Sequence, residues 1–404
     1  MKSETPPMKL ALFTGGIDKH YASGLWRTVA SLGVSVDVIC NSEMKAEAGV
    51  GPRLEFLTLY ENPQMRRRTI AKVLAFIQVY IRLMIYAATT SAEVFHVLWN
   101  YRIPVFDRTL LLLYYKLLGK RVIFTAHNIN AAERDGDDSF LNRFTLRFQY
   151  RNVDHIFVHT KLMKQQLVEV FGVREQNIAV IPFGTYDMVP QTAMTAAEAK
   201  KRLGVKGSEK AILFFGRIAP YKGIDLLVDA FLRLAPKDPG YRLIIAGEPM
   251  KDAESQWRSA QVAIEQSASK DRVIQHTRFI GDSEIELYFK AADVLVLPYT
   301  QIFQSGVLFM SYSFGLPVIG TDVGSLAHDI IEGETGFVCR PGDAEDLARA
   351  IESYFSSDFF KSLDDRRGKI KEFIHASHSW EKAGCKTVEV YERLTRRKEF
   401  GYST

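Results

Sequence analysis

Cysteine is scarce: Cys40, Cys339 and Cys385 are the only three in 404 residues, far apart and without paired spacing. That excludes a disulfide scaffold and a cysteine-based zinc site, and it suits a reducing cytoplasm. Excess charge of one sign is also lacking, since Lys+Arg 52 against Asp+Glu 47 leaves only +5. So mild a balance argues weakly for an anionic partner and against a dedicated nucleic-acid binder. The N-terminal Met-Lys-Ser-Glu-Thr-Pro-Pro carries no apolar core of the signal-peptide kind. The apolar stretch Val73 to Ala88 falls short of the roughly 20 residues a bilayer span needs, and Gln78 and Arg82 interrupt it. Several catalytic signatures are missing as well. No full Gly-x-Gly-x-x-Gly fingerprint, Ser-His-Asp order, nucleophile elbow, His-Glu-x-x-His or Gly-x-x-x-x-Gly-Lys motif occurs, so NAD-binding, hydrolase and nucleotidase readings have no support. There is no low-complexity tract, and no repeat beyond a likeness of the two halves.

What is present reads as alternating strands and helices. The length suits two to three domains, and 47% hydrophobic with 25% charged residues is ordinary for a globular chain. Lys9 to Phe13 is a short apolar strand that stops at Gly15-Gly16, followed by helical spacing from His20 to Leu32 and a second strand, Val34 to Cys40. Further strands are predicted at Leu54–Leu59, Val94–Leu98, Asp154–His159 and from Ile178, with helices over Thr109–Leu118 and Lys161–Phe171. Glu133 to Ser139 reads as a polar loop. Pro182-Phe-Gly184 and the polar run Thr185 to Thr195 read as an interdomain linker. Beyond it, strands apolar throughout (Ala211–Phe215, Arg242–Ala246, Val273–Ile280, Val294–Leu297) alternate with helices, which implies a parallel sheet buried on both faces. Val73 to Ala88 fits a core helix; preceded by Arg66-Arg67-Arg68 and Lys72, it also fits a basic apolar helix resting on anionic lipid.

The stretch Ile212 to Gly223 organises the second half. A buried strand leads into Gly216-Arg217, a short loop, and Lys222-Gly223 ahead of an amphipathic helix. In open α/β sheets ligands bind outside the carboxyl ends of the strands, so Arg217 and Lys222 stand where a phosphate or diphosphate would sit. Ser305 and Gly306, small residues ahead of another helix, add amides of the same use. In the first half, the strand beginning at Lys120 delivers His127 to its carboxyl end.

The order Gly-Arg-…-Lys-Gly, Ala-Ala-Asp-Val-Leu-Val-Leu-Pro298, Gly315-Leu-Pro-Val-Ile-Gly-Thr-Asp-Val-Gly324, then Gly336-Phe-Val-…-Pro341-Gly-Asp resembles the retaining, nucleotide-sugar-dependent GT-B glycosyltransferases of family four. The resemblance implies an α/β GT-B fold: two Rossmann-like doubly wound parallel-sheet domains facing a central cleft. An acceptor domain over 1–190 would take back a C-terminal helix at about 380–404, and a donor domain would span 196–379. It implies transfer of a sugar from a nucleotide-diphosphate sugar to a saccharide or lipid-linked acceptor in polysaccharide or glycolipid assembly. No metal or other cofactor is called for, since cations can neutralise the leaving diphosphate. The cytoplasm, with peripheral contact at the inner membrane face, is the implied location, and nucleic acid is not a partner. His127, Arg217 and Lys222 are implied as catalytic. Gly15, Gly16, Gly216, Gly247, Ile280, Gln304, Ser305, Gly306 and Val307 are implied as donor-binding. One departure stands out: the family's two glutamates would fall at Ile302 and Met310. Gln301 or Gln304, or Glu332 for the ribose, are candidates to replace them. Because of that departure, a nucleotide-sugar epimerase on the same fold and a non-catalytic nucleotide-sugar binding protein stay open beside the transferase.

Overall fold

The computed structural model of the chain describes residues 8–47, 51–60, 69–186 and 188–399. The basic run Arg66 to Arg68 lies outside the described residues. The chain divides into two compact units, Met1–Gly184 with Ser379–Thr404, and Thr185–His378.

The first unit is built on a seven-stranded sheet. Its strands are β1 (Lys9–Phe13), β2 (Ser35–Asn41), β3 (Leu54–Tyr60), β4 (Val94–Val97), β5 (Arg121–Thr125), β6 (His155–Val158) and β7 (Ile178–Val180). They run parallel in the order β3-β2-β1-β4-β5-β6-β7. The chain lays β1, β2 and β3 outward in one direction, then returns to set β4 on the other side of β1. Such a reversal, here between β1 and β4, is the place where doubly wound sheets bind ligands. The helix Trp380–Glu399 belongs to this unit and packs on the helix Lys19–Ser31. Its first residue is wedged: a Cβ added at either Gly24 or Gly184 would overlap the Trp380 indole.

The second unit repeats the plan with β8 (Lys210–Phe215), β9 (Tyr241–Ala246), β10 (Val273–His276), β11 (Val294–Leu297), β12 (Val318–Thr321) and β13 (Gly336–Cys339). These too are parallel, in the order β10-β9-β8-β11-β12-β13, so its reversal lies between β8 and β11.

Several expectations are corrected. The strand predicted over Val273–Ile280 ends at His276, whose carbonyl already accepts from both Gly247 and Arg278 as the chain turns. Ile280 therefore lies in the following loop, buried. The helix predicted from Thr109 begins at Pro104, a residue suited to a first turn, and passes through a π-helical stretch, Asp107–Leu111, before Leu112–Leu117. The polar loop at 133–139 is not free of structure: Ala131–Arg134 is a helical turn, and Asp138 accepts from Asn142 at 2.8 Å. The run Thr185 to Thr195 is bound into the second unit, where Thr192 donates to both Glu286 carboxylate oxygens and Gln191 to the Ser313 carbonyl.

Two buried histidines should make the first unit acid-sensitive. His96 bonds Tyr391 Oη of the terminal helix at 2.6 Å and Thr125 Oγ1 at 2.7 Å, and burial pushes its pKa down to about 3. Burial likewise pushes His155 down to about 4. Below pH about 6.5 the unfolded chain binds protons that these buried rings refuse. Stability is thus fully present above that pH and falls toward pH 4, by up to about 1.4 kcal/mol per pH unit for each ring. Urea unfolding at pH 7 and pH 5 checks this, and His155→Phe should reduce the slope.

Candidate functional site

Each sheet reversal gathers residues that the sequence singles out. In the first unit, β1 ends in Gly15-Gly16 and β4 in Trp99. A Cβ at Gly15 would lie 2.7 Å from Trp99 Cβ, so the two strand ends meet. Trp99 in turn stacks on His127, delivered by β5, with ring centroids 4.1 Å apart and planes 6° from parallel. Tyr21 meets the edge of the same imidazole at 4.5 Å. Gly15, Trp99, Tyr21 and His127 therefore form one cluster; Gly16 lies beside it, near Asn41.

The proton positions in this cluster follow from a chain of hydrogen bonds. His159 Nδ1 lies 3.3 Å from the Ile181 carbonyl, which can only accept. With both rings neutral, His159 Nε2 is then an acceptor, so His127 Nδ1, 3.2 Å away, carries the proton it receives. His127 Nε2 is left as a bare acceptor, and it is buried with no hydrogen-bond partner. Burial, with His159 and His96 adding to it, holds the His127 pKa well below the usual histidine range. A buried polar atom without a partner is uncommon in native proteins and marks a place where a ligand could complete the bonding.

In the second unit the loop after β8 carries Gly216, Arg217 and a 3-10 turn, Pro220–Lys222. Gly223 then starts the helix Ile224–Leu234 with φ +63°, and a Cβ there would overlap the Pro298 carbonyl, so only glycine fits. This turn folds Lys222 inward. Its side chain is 8% exposed, Nζ lies 3.1 Å from where a Gly216 Cβ would stand, and Nζ sits 5.7 Å from the Tyr299 ring centroid. Val307 Cγ2 is 3.6 Å from the same Gly216 point, and Gly247 lies directly against the Gly216 carbonyl. Gly216, Lys222, Gly247 and Val307 are thus brought together at the β8–β11 reversal. Arg217, next in the chain after Gly216, is exposed. Ser305 precedes the helix Gly306–Ser313, with no side-chain cap, so the Gly306 and Val307 amides of its first turn have no intrahelical acceptor.

The positions of the missing glutamates are filled by apolar side chains, and Met310 is buried. Nearby, Ser325 donates to Asp329, whose burial raises its pKa to about 6 despite that bond. The Gln304 Oε1 is buried without a partner. Glu332, the candidate for the ribose, accepts from the Val338 amide through Oε2 at 3.0 Å. Sequence reasoning missed Trp99, Tyr21, His159 and Tyr299. Trp99 and Tyr299 had the signal that singled out His127, a polar-tipped ring two residues past a strand end. Among the described residues, no group of three or more His, Cys, Asp or Glu side chains could hold a metal ion.

The family description "Glycosyltransferase Family 4" matches residues 15–185, and "Glycosyl transferases group 1" matches residues 209–357. Among solved structures, sucrose-phosphate synthase from Thermosynechococcus elongatus superposes with a TM-score of 0.76 at 18% identity, covering 96% of this chain and 100% of that one. Anabaena HepE in complex with UDP-glucose gives 0.74 at 14% identity, covering 96% and 99%. The fold is therefore GT-B. The chain belongs to the family-four glycosyltransferases. D-inositol 3-phosphate glycosyltransferase of Geodermatophilus obscurus is 28% identical over 59% of this chain and 52% of its own length. Mannosylfructose-phosphate synthase of Agrobacterium fabrum is 29% identical over 55% of this chain and 49% of its own length. The chain thus spans about half the length of these curated relatives.

Proposed function

We propose that the protein is a retaining glycosyltransferase moving a sugar from a nucleotide-diphosphate sugar to a saccharide or lipid-linked acceptor, in polysaccharide or glycolipid assembly. The observation that carries this reading is the inward-folded Lys222 against Gly216 and Val307, beside the first-turn amides of Gly306 and Val307, which have no intrahelical acceptor. Breaking the sugar–phosphate bond builds charge on the departing diphosphate. A cation and helix-end amides already fixed in place stabilise that charge without reorganising. Arg217, exposed on the same loop, would close over the phosphates. Gly247 and Ile280 would leave room for the nucleotide, with the Gln304 Oε1 accepting a ribose or sugar hydroxyl in place of an absent glutamate. His127 Nε2, a bare acceptor, would accept a hydrogen bond from a hydroxyl of the donor sugar and so orient it, with Gly15 and Gly16 admitting the sugar closely. No metal has a role in this scheme. That UDP-glucose is bound by Anabaena HepE makes uridine sugars the first donors to try.

The test is to incubate the purified protein with a panel of nucleotide sugars, with and without saccharide acceptors, and follow nucleoside-diphosphate release. Acceptor-dependent release that persists in EDTA is expected. Conversion of the donor without acceptor would point to an epimerase. Binding with no turnover would favour a non-catalytic receptor, a reading that the apolar Ile302 and Met310 support. Under the transferase reading, His127→Ala should lower kcat at least tenfold, about 1.4 kcal/mol of transition-state stabilisation. The nucleoside-diphosphate Kd should stay within about twofold, since the imidazole addresses the sugar and not the phosphates.

A further inference from the structure

The second unit holds a cavity of about 520 Å³ at the end of its sheet away from Lys222 and Ser305. It lies at the amino ends of β8 and β11, walled by the helix Ala196–Arg202 and the start of the helix Leu363–His378. That volume is in the range of small-molecule sites, and its wall is rich in charge. Most of this charge is already satisfied within the protein. Lys200, 8% exposed, donates to Asp293 Oδ2 at 2.8 Å and to the Glu209 carbonyl at 2.9 Å. Asp293 Oδ2 also accepts from the Ala211 amide at 2.8 Å. The Glu209 carboxylate accepts from Arg242 at 2.7 Å and from the Lys206 amide at 2.9 Å. Lys361 pairs with Asp358 at 2.9 Å.

Three charges on the wall are left over, all from the first two turns of the helix Leu363–His378: Asp364, Asp365 and Arg367. Of the five N–H donors of Arg367, Nη2 serves the Ala292 carbonyl at 2.9 Å, while Nε is buried with no partner. Burial holds this guanidinium below its usual pKa. Asp364 and Asp365 are exposed, and no hydrogen bond or ion pair reaches either among the described residues. One cation beside two acids selects the ligand. A plain anion would meet Arg367 but also both carboxylates, and a plain cation would be repelled by the guanidinium. A molecule carrying a carboxylate and an ammonium on one carbon satisfies both signs. Asp364 and Arg367 stand at i and i+3, roughly 5–6 Å apart at Cβ, a gap that one such molecule bridges. The second acid adds a place for a cationic side chain. We propose that this cavity binds a free α-amino acid, best a basic one, with its carboxylate on Arg367 and its ammonium groups on Asp364 and Asp365. Binding there takes no part in the transfer reaction, so its failure would leave the proposed activity untouched.

Calorimetric titration of the full chain with L-lysine, without nucleotide sugar, tests it. Saturable binding with a Kd at or below about 1 mM is expected. L-glutamate, which turns a second carboxylate toward the two acids, should bind roughly tenfold or more weakly, and so should cadaverine, which is lysine without its carboxylate. Because both acids are exposed, Asp364→Asn/Asp365→Asn should keep the melting temperature and lose roughly tenfold or more in lysine affinity. The proposal is overturned if lysine gives no saturable heat. It is overturned equally if cadaverine binds as tightly as lysine, which would make this a plain cation site, or if the asparagine variant binds lysine as well as the parent, which would place the lysine elsewhere.

Discussion

Lys222→Ala should lower the affinity for a nucleotide-diphosphate sugar by roughly 30-fold or more, since a charge-assisted hydrogen bond contributes about 1.5–3 kcal/mol and here addresses a phosphate. Lys222 Nζ is held beside Gly216 at the β8–β11 reversal by a turn that only glycine at 223 can complete. Its side chain is largely buried against the Tyr299 ring, so alanine also removes packing. Lys222→Met separates the two effects: it keeps most of the stem and loses only the charge. Calorimetric titration of both variants with the nucleotide sugar that the donor panel selects is the measurement. Donor affinity within twofold of the parent for Lys222→Met, with an unchanged melting temperature, would refute the diphosphate role.

The second large effect is on stability. Replacing glycine by alanine inside a helix ordinarily stabilises by up to about 1 kcal/mol, because glycine pays the larger backbone entropy. At Gly24, inside the helix Lys19–Ser31, the sign should reverse. The added methyl would occupy the space of the Trp380 indole, which is also held by Gly184 and meets Tyr21 at 5.1 Å. Overpacking of this kind costs about 1–3 kcal/mol, and displacing the tryptophan forfeits part of the several kcal/mol that a packed aromatic contributes. Gly24→Ala should therefore destabilise the first unit by about 2–4 kcal/mol, read as a lower urea midpoint. Adding Trp380→Leu, which vacates the space, should restore part of it. A Gly24→Ala protein as stable as the parent would mean that the terminal helix is not anchored by this wedge.

Much of this was legible in the sequence because strands of a parallel sheet are apolar along their whole length and end abruptly at glycine or proline. β1, β8 and β11 stand out for that reason, and so do Gly15, Lys222 and Ser305 just beyond them. Less legible were boundaries set by long-range hydrogen bonds. The end of β10 depends on the Gly247 amide reaching the His276 carbonyl, which no local pattern reveals. The π-helical stretch at Asp107–Leu111 is likewise invisible to a 3.6-residue period. Residues that act through another ring were the hardest to find. His159 matters because it passes the constraint of the Ile181 carbonyl to His127, and the two histidines are 32 positions apart in the sequence.

The return of the helix Trp380–Glu399 to the first unit also bears on synthesis. A ribosome completes Thr185–His378 before it delivers the residues that close the unit begun first. At roughly 5–20 residues per second, that leaves on the order of 10–40 s in which the surface around Gly24 and Gly184 lacks its tryptophan. The nascent chain carries that uncovered apolar seam throughout, a natural point of engagement for a chaperone, and premature termination anywhere in the inserted unit would leave it permanently open.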